Sequence, residues 1–244
     1  MDLFLKILIV AVAFIIINSA FLAVYCRVQE RLDIKQKERK SQKQSKGESE
    51  MKQQKSFALK MYWWLYGYVY GWMRYCIICA GKIPSNRIRN FLFRFVFNMK
   101  ITSKTVIYGG CEFRSPWNIH AGNCVISTYC ILDGRNGIFI GDNVVFGSGV
   151  HIWTEEHAVD DPFFGISEEG SQPVKINQRA WICSDSTILP GVHVGEGAVL
   201  ASKAVATKDL EAFGVYAGIP ARKIKGRTEA LNYELQGKPH WHFW

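Results

Sequence analysis

The sequence predicts a mainly β protein built on a parallel β-helix, because aliphatic residues recur at every sixth position in two runs. Each hexad of such a fold supplies one short strand and one turn, and its aliphatic side chain points into the coil. Gly, Asn, Asp and Pro between the repeated positions suit tight corners. A β-sandwich of short strands is the alternative, but simple alternation would not hold one phase over so many hexads. The runs are Ile119, Val125, Ile131, then after a slip Ile140, Phe146 and Ile152, and the later run Ile176, Ile182, Ile188, Val194, Leu200 and Ala206.

Length and composition describe one sizeable folded domain with appendages. The chain has 244 residues, of which 48% are hydrophobic, and this excludes global disorder. The net charge of +9 does not indicate a nucleic-acid partner, because much of the positive charge lies in residues 27–60, beside an apolar segment. The 7 cysteines are scattered and odd in number, which favours a reducing compartment over a disulfide framework. Cys76 and Cys79 form a single C-x-x-C pair, for which core packing is favoured over metal binding.

An apolar stretch near the N-terminus predicts a membrane anchor. Residues Ile7 to Cys26 contain no charged side chain and are long enough to cross the hydrocarbon core as a helix. A signal peptide is the alternative, but its charged region would hold only Lys6 beside Asp2. Basic residues follow the stretch at once, so the positive-inside bias predicts a single-pass protein of the cytoplasmic membrane whose C-terminal part lies in the cytoplasm. These residues are Arg27, Arg31, Lys35, Lys37, Arg39, Lys40, Lys43 and Lys46.

The chain divides into five zones by composition. Residues 1–26 are the transmembrane anchor, and residues 27–55 are a polar, basic stalk that we expect to be solvated, helical or partly disordered. Residues 56–100 are rich in aromatic and basic side chains and predict a cap of two helices, which covers the first coil, lies at the membrane interface, or both. Residues 101–225 are the β-helix. Residues 226–244 are a tail, for which we expect a short helix and an aromatic end that packs on a neighbour.

Several short motifs are more specific than the hexads. They are ILDGRNGIFIG at 131–141, WTEEH at 153–157 followed by DPF at 161–163, AWI at 180–182, ILPGVHVG at 188–195 and AGIPARKI at 217–224. In order and spacing these segments resemble the hexapeptide-repeat acyltransferases, in the branch of sugar, capsular and exopolysaccharide O-acetyltransferases. The resemblance implies a left-handed β-helix, a homotrimer with active sites between subunits, and acetyl-CoA bound along the groove between neighbouring β-helices.

His157 is the candidate general base. It lies in the long segment that interrupts the hexads, and loops held by a rigid scaffold often carry function. A histidine near neutral pKa can take the proton of a weakly acidic sugar hydroxyl as the oxygen attacks a thioester, and the resemblance implies the same role. A solvated surface histidine is the alternative. His151 and His193 each precede an inward position and are expected to point outward.

Two further residues are candidates for contact with the acceptor. The resemblance implies that Asp133 contacts the acceptor hydroxyls, although an Asx-type turn residue beside Gly134 fits the sequence nearly as well. The resemblance also implies that Trp181 lines the groove for acceptor and pantetheine, although packing is the usual role for a tryptophan in this position.

The donor side is expected in the last coils. The resemblance implies that several polar and basic side chains of these coils contact CoA, and basic groups suit the phosphates of CoA. Two departures from the family pattern are present: Cys183 replaces a glycine after Trp-Ile, and Ala201-Ser202-Lys203 replaces a glycine-rich triplet. Because glycine allows close approach of a ligand to the backbone, these side chains are expected to narrow the pantetheine tunnel, shift the donor or weaken activity. The candidate CoA contacts are Ser184, Ser202, Thr207, Lys208, Arg222 and Lys225.

The sequence therefore predicts a membrane-anchored O-acetyltransferase that moves an acetyl group from acetyl-CoA to a hydroxyl of a polysaccharide precursor or lipid-linked glycan. One alternative is a tethered enzyme for a small acceptor such as serine, a free sugar or an antibiotic. A protein similar to the γ-class carbonic anhydrases is another, but the spacing of His151 and His157 matches their metal ligands only loosely. An inactive β-helix scaffold is the last. No metal and no nucleic acid are expected as partners.

Overall fold

Three helices precede a solenoid of short strands in the computed structural model. The backbone is described for residues 2–46 and 57–239, and the side chains for residues 4–40 and 57–239. The end of the predicted stalk and the last residues of the tail, with His240 and His242, lie outside the described residues. The helices are α1 (Asp2–Lys46), α2 (Phe57–Gly81) and α3 (Asn86–Phe91), followed by a π-helical segment (Leu92–Val96) and a 3₁₀ turn (Pro116–Asn118).

The solenoid contains short strands separated by tight corners and by one long loop. In chain order the strands are β1 (Lys100–Ile101), β2 (Val106–Ile107), β3 (Glu112–Arg114), β4 (Ile119–Ala121), β5 (Val125–Ile126), β6 (Ile131–Asp133), β7 (Ile138–Ile140), β8 (Val145–Phe146), β9 (His151–Ile152), β10 (Val174–Ile176), β11 (Trp181–Ile182), β12 (Thr187–Ile188), β13 (His193–Val194), β14 (Val199–Leu200), β15 (Val205–Ala206), β16 (Gly214–Ala217) and β17 (Arg222–Gly226).

Successive strands belong to three different sheets, so the chain winds around a triangular prism. Sheet 1 has the order β1-β4-β7-β10-β13, sheet 2 the order β17-β16-β14-β11-β8-β5-β2, and sheet 3 the order β15-β12-β9-β6-β3. Neighbouring strands are parallel except β16 and β17, which are antiparallel. The predicted fold class, a left-handed parallel β-helix after an apolar helix and a helical cap, is confirmed.

The core consists of stacked side chains, one column for each sheet. Every member is less than a tenth exposed, and strand pairing places each one over its counterpart in the next coil. Burial of these columns stabilises the solenoid by roughly 25 cal/mol for each Å² of apolar surface removed from water. The columns are Ile101, Ala121, Ile140, Ile176 and Val194 in sheet 1, Ile107, Ile126, Phe146, Ile182, Leu200 and Tyr216 in sheet 2, and Phe113, Leu132, Ile152, Ile188 and Ala206 in sheet 3.

The phase predicted for the early hexads is wrong by one residue at two positions. Val125 and Ile131 are only half-buried, and the side chains that point inward are their neighbours Ile126 and Leu132. The cause lies in sheet 1, where Ala121 rather than Ile119 pairs with Ile140. The spacing from Ala121 to the next inward residue, Ile126, is therefore one residue shorter than a full hexad. The later run from Ile176 to Ala206 is buried throughout, as predicted.

Helices α1 and α2 pack on each other and on the first coil of the solenoid. The side chains of Leu22, Met73 and Ile77 are buried between them, and the ring of Phe93 meets that of Phe113 edge to face at 5.1 Å. The N-terminal half of α1 stays exposed: one described helix, Phe4–Lys40, is long and apolar enough to cross a membrane, and only 6% of its most apolar window is buried. This arrangement covers the open end of the solenoid with helices.

The second half of α1 is helical, which is one of the forms expected of the stalk, and most of its described side chains from Arg27 to Lys40 are exposed, but a few of them contact the solenoid. One carboxylate oxygen of Asp33 accepts hydrogen bonds from Nε1 of Trp117 and Nδ2 of Asn118. Further along, Nζ of Lys37 donates to the carbonyl oxygen of Asn136 at 3.2 Å. The contacts follow the corner between sheets 3 and 1, since both partner segments connect a strand of sheet 3 to one of sheet 1.

The described part of the tail runs back along the solenoid without forming a helix, contrary to expectation. The guanidinium of Arg227 donates to the carbonyl oxygens of Arg179 and Gly197. Further on, the backbone N–H of Leu235 donates to Oδ1 of Asn143 at 2.8 Å. The tail therefore gains its hydrogen bonds from the corner residues of earlier coils instead of from a helical turn.

Candidate functional site

The long loop between β9 and β10 has an internal hydrogen-bonded structure. His157 and Ile166 form an antiparallel bridge, and the backbone N–H of Ala158 donates to the carbonyl of Gly165 at 2.9 Å. The carboxylate of Asp161 closes the turn by accepting from the N–H groups of Phe163 and Gly165. The loop is therefore a short hairpin that holds His157 at a defined place on its first arm.

The contacts of His157 orient its ring. Nδ1 lies 2.9 Å from the carbonyl oxygen of Phe164, and the two rings stack at 4.2 Å between centroids. Because a carbonyl oxygen only accepts hydrogen bonds, Nδ1 carries the hydrogen in the neutral ring, and Nε2 keeps its lone pair. The side chain is exposed, so this lone pair is available to a substrate hydroxyl.

The base of the loop is fixed to the coil below it. Thr154 is fully buried; its hydroxyl donates to the carbonyl of Asp133 at 2.6 Å and accepts from the N–H of Asn136. Nδ2 of Asn136 in turn donates to the carbonyl of Thr154 at 2.7 Å. Because these bonds are buried or half-buried, breaking one would leave a polar group unpaired at a cost of about 1–3 kcal/mol. The loop therefore starts from a rigid point three residues before His157.

Asp133 is at the centre of an ion-pair network. Its carboxylate is fully buried and pairs with Arg135, which also pairs with Glu155 in the first arm of the loop. The hydrogen bonds that the guanidinium of Arg135 donates to the carboxylate of Asp133 raise the pKa of Arg135. The following Gly134 has no room for a side chain, because a Cβ would lie 2.7 Å from Ile119 and 2.9 Å from two backbone oxygens. The most exposed side chain of this network is Arg135, whereas the side chain of Asp133 is fully buried.

Trp181 presents its ring on the outer face of sheet 2. It is 47% exposed, and its strand neighbours on either side are Val145 and Val199. Cys183 follows at the corner between sheets 2 and 3 and is nearly buried. Burial raises the pKa of its thiol, so the group is neutral near pH 7. The exposed indole of Trp181 is therefore an apolar surface on the outer face of sheet 2.

The candidate CoA residues fall into separate groups. Ser184 and Ser202 lie at the corner between sheets 2 and 3, one coil apart, where the N–H of Lys203 donates to the carbonyl of Ser184 at 3.0 Å. Thr207 and Lys208 are exposed and follow β15, at the corner between sheets 3 and 1. The structure therefore brings Trp181 near the two serines but places Thr207 and Lys208 at another corner, the one that carries the loop of His157.

Lys203 has a backbone conformation that favours glycine. This residue has φ of 59°, in the left-handed region, as do Tyr129 and Asp185 at the same corner of other coils. Glycines Gly110 and Gly149 occupy the equivalent turns with φ of 79° and 69°. Lys203 therefore adopts a glycine conformation at some cost in free energy, and it adds a cationic, exposed side chain beside Ser202.

The last two candidates lie at the end of sheet 2. Arg222 and Lys225 are exposed on β17, which pairs with β16 next to β14. The intervening Lys223 forms an ion pair with Glu211 at 2.6 Å. Arg222 and Lys225 therefore add positive charge to the outer edge of the sheet that presents Trp181.

Within residues 57–239, the candidate residues fall into two groups on different sides of the solenoid. The loop of His157 connects sheet 3 to sheet 1, whereas Trp181 faces outward from sheet 2, the opposite side of the triangular prism. Asp133, Arg135 and Glu155 share the corner of His157, and the two serines share the side of Trp181. A site that uses both groups needs the loop of one chain against sheet 2 of another.

Some contacts of the site were not identified from the sequence. Arg135, Thr154 and the carbonyl of Phe164 hold the loop, yet none belongs to a residue type that marks catalysis by spacing alone. The charge pattern Asp-x-Arg at 133 and 135 is the signal that would have suggested an ion pair. The docking of Asp33 and Lys37 had no signal beyond their three-to-four-residue spacing on one helix face.

The remaining histidines are spread over the solenoid. His151 is half-buried and His193 is exposed, each one residue before an inward position, as predicted. His120 stacks on Phe139 at 5.0 Å, and burial together with nearby Lys100 lowers its pKa. Among the described side chains of residues 4–40 and 57–239, no group of three or more His, Cys, Asp or Glu is arranged to hold a metal ion.

Comparison with known proteins relates this architecture to acetyltransferases. No family model matches the chain. The chain is 31% identical to a maltose O-acetyltransferase from Clostridium difficile 630, with a TM-score of 0.54, over 59% of this chain and 76% of that one. A galactoside acetyltransferase solved in complex with coenzyme A is 25% identical, with a TM-score of 0.54, over 62% of this chain and 78% of that one.

Curated relatives agree with the solved structures. A putative colanic acid biosynthesis acetyltransferase, WcaF of Escherichia coli (strain K12), is 29% identical over 144 residues, which cover 59% of this chain and 77% of that protein. The chain spans only 60% to 63% of the length of the first curated relatives that it matches. The predicted resemblance is confirmed by the solenoid and by these similarities together: the chain belongs to the hexapeptide-repeat acetyltransferase family.

Proposed function

We propose that this protein is an acetyl-CoA-dependent O-acetyltransferase that modifies a sugar hydroxyl, with Nε2 of His157 as general base. The observation that carries the proposal is the hydrogen bond of 2.9 Å between Nδ1 of His157 and the carbonyl of Phe164. It places the hydrogen on Nδ1 and leaves Nε2 free to accept the proton of the acceptor. A positioned base of this kind contributes about 10²–10⁴-fold to the rate.

In the proposed reaction, the acceptor hydroxyl attacks the acetyl thioester. Nε2 of His157 takes the hydroxyl proton while the hydroxyl oxygen forms a bond to the carbonyl carbon of the acetyl thioester. The C–S bond then breaks, and the imidazolium returns its proton to the departing thiolate, which leaves CoA as the free thiol. The ring stacked on Phe164 is held in one orientation throughout, so little reorganisation accompanies the transfer.

The donor is proposed to lie along sheet 2. Trp181 offers an exposed face to the pantetheine arm, and Ser184 and Ser202 offer hydroxyls at the adjoining corner. Arg222 and Lys225 supply positive charge for the phosphates. Thr207 and Lys208 lie at the corner of the loop and are proposed to meet a donor bound to a neighbouring chain. CoA is a ligand of the similar galactoside acetyltransferase, which supports this choice of donor.

A homotrimer would complete the site. Because His157 and Trp181 occupy opposite sides of one prism, a ring of three chains can bring the loop of each against sheet 2 of the next. In this assembly Asp133 is proposed to act near the acceptor. Its carboxylate would reach a sugar hydroxyl only if Arg135 moved, so Arg135 is the first side chain that an acceptor would meet.

The acceptor is proposed to be a polysaccharide precursor or a lipid-linked glycan. The long apolar helix supports a single-pass location in the cytoplasmic membrane, and the similar WcaF is named for colanic acid biosynthesis. Acetyl-CoA is a cytosolic metabolite, and the basic residues after the apolar stretch favour the same side. We therefore place the solenoid in the cytoplasm. Protease added outside intact cells should spare the solenoid, and digestion there would contradict this topology.

A tethered enzyme for a small acceptor is the second candidate, because chloramphenicol acetyltransferases are among the proteins with 30% or more identity. The test is release of CoA thiol by the full chain in detergent, with a lipid-linked sugar, a free sugar, serine and chloramphenicol as acceptors. Acetylation of the lipid-linked sugar, with loss of O-acetyl groups from surface glycans in cells that lack the protein, is expected. Turnover of a small acceptor alone would favour the second candidate, and turnover of none would favour an inactive scaffold.

A further inference from the structure

A cavity separate from the proposed active site lies beside the first coil. It has a volume of about 840 Å³, is open to solvent on one side, and is lined by α3, the π-helical segment, the turn after β1 and the end of the described tail. The cavity lies at the corner of the solenoid between sheets 1 and 2, because the turn after β1 leads to β2. The loop of His157 lies at a different corner, between sheets 3 and 1. The acetyl-transfer site proposed above does not use this cavity.

The lining of the cavity is positively charged and partly aromatic. Arg87, Arg94 and Lys238 contribute cations, and Phe91 and Phe95 contribute an exposed aromatic pair with ring centroids 5.0 Å apart. No Asp or Glu lines the cavity, and none forms an ion pair with these three cations in the part of the chain that the structure describes. The lining therefore suits a ligand with a negative head and apolar chains.

The cavity lies at the depth where the apolar part of α1 ends. The guanidinium of Arg27, the first charged residue after the uncharged stretch, donates to the carbonyl of Phe95 at 3.2 Å. Phe95 is also at the rim of the cavity. If α1 crosses the bilayer, the cavity opens at the level of the lipid headgroups, where arginine and aromatic side chains are favourable.

We propose that this cavity binds the headgroup of an anionic phospholipid. Arg87 and Arg94 take the phosphate, and the exposed rings of Phe91 and Phe95 lie against the first part of the acyl chains. The proposal rests on the membrane location given under the proposed function, but not on the identity of the acceptor or on the role of His157.

The test measures binding of dioctanoyl phosphatidylglycerol, dioctanoyl phosphatidylcholine and inorganic phosphate to the full chain in a neutral detergent by native mass spectrometry. The variant R87Q/R94Q removes the two arginines, which are exposed and do not support the core. The matched control R31Q/K35Q removes two exposed cations of α1 that do not line the cavity. Thermal melting of each variant checks the fold.

The expected result is binding of phosphatidylglycerol about tenfold or more tighter than phosphatidylcholine, with this preference lost in R87Q/R94Q and kept in R31Q/K35Q. Equal binding of the two lipids by the wild type, or an unchanged preference in R87Q/R94Q, would overturn the proposal. Full displacement of the lipid by inorganic phosphate would show a site for free phosphate instead. Acetyl transfer to a soluble acceptor is measured on the same samples, so a failure of the proposed catalytic function is recognised separately.

Discussion

The carboxylate of Asp33 on α1 accepts a hydrogen bond of 2.7 Å from Nε1 of Trp117, a side chain that is almost fully buried in the solenoid. The same oxygen accepts from Asn118 at 2.9 Å. A helix that begins in a segment fit to cross a membrane is thus tied to the wall of the solenoid by a charged group. Further along α1, Lys40 forms an ion pair of 2.8 Å with Glu168, which lies in the loop of His157.

Replacement of Asp33 by Ala should loosen the second half of α1. The change leaves Nε1 of the buried Trp117 without its acceptor, at a cost of about 1–3 kcal/mol. Limited trypsin digestion should then cut faster after Lys35 and Lys37. Glu38→Ala, which changes an exposed acidic side chain of the same helix, is the control. Equal cleavage rates for the wild type and Asp33→Ala would show that the tie is not needed for docking.

Replacement of His157 by Ala should abolish transfer and leave the fold intact. The exposed side chain contributes nothing to the columns of the core, whereas its Nε2 is the proposed base, so a fall in kcat of about 10²-fold or more is expected. Release of CoA thiol and thermal melting on one preparation measure both effects. His193→Ala, another exposed histidine, should stay near wild type. Turnover of His157→Ala within threefold of wild type, roughly what a lost surface contact costs, would exclude the base.

Replacement of Ile188 by Asp should unfold the solenoid. Ile188 is fully buried between Ile152 and Ala206 in the column of sheet 3. An unpaired carboxylate there costs several kcal/mol, which is comparable with the whole stability of a domain. Thr187→Asp places the same group one residue earlier, on the outer face of the strand, and should be tolerated. A soluble Ile188→Asp protein that melts cooperatively would contradict the assigned register.

Replacement of Cys183 by Gly should strengthen the binding of acetyl-CoA. If CoA passes along the corner after Trp181, removal of a nearly buried side chain lets the pantetheine arm approach the backbone. The KM for acetyl-CoA should fall severalfold while kcat changes little, as measured by initial rates of thiol release. Cys79→Ser, at an exposed cysteine of α2, is the control. An unchanged KM would place the donor away from this corner.

His120 should make the protein less stable in mild acid. Burial and the charge of Lys100 lower its pKa in the folded state, whereas the neighbouring Glu30 acts in the opposite direction. Below the unfolded pKa of about 6.5, the unfolded chain binds a proton that the folded protein resists, so stability is lost as the pH falls. Urea unfolding at neutral and mildly acidic pH should show a smaller loss for His120→Gln than for the wild type. An equal loss would assign the acid sensitivity to other groups.

The sequence predicted the regular part of the solenoid better than its beginning. From Ile176 to Ala206 every inward residue is six positions from the last, and one phase describes the core. Around Ala121 a shortened coil shifts the phase, and no local pattern distinguishes Val125 from Ile126 because both are β-branched and apolar. Strand pairing across coils decides between them.

The sequence also predicted only part of the candidate site. The place of His157 follows from the interruption of the repeat, which is visible in the sequence. The partners that orient and hold it do not: a backbone carbonyl at Phe164 and a hydroxyl at Thr154 carry no sequence signal. The hydrogen bonds of Asp33 with Trp117 and Asn118 join residues 84 and 85 positions apart, and the hydrophilic composition of this segment did not indicate them.

The unbroken course of α1 from its apolar half to Lys40 also sets a distance. A helix rises 1.5 Å for each residue, so Lys40 lies about 20 Å beyond Arg27 along the helix axis. If α1 crosses the bilayer as proposed, with Arg27 at the membrane surface, the helix sets a fixed distance between the bilayer and the loop of His157, to which Lys40 is paired. A hydroxyl on a lipid-borne glycan would then be selected by its height above the membrane as well as by its chemistry.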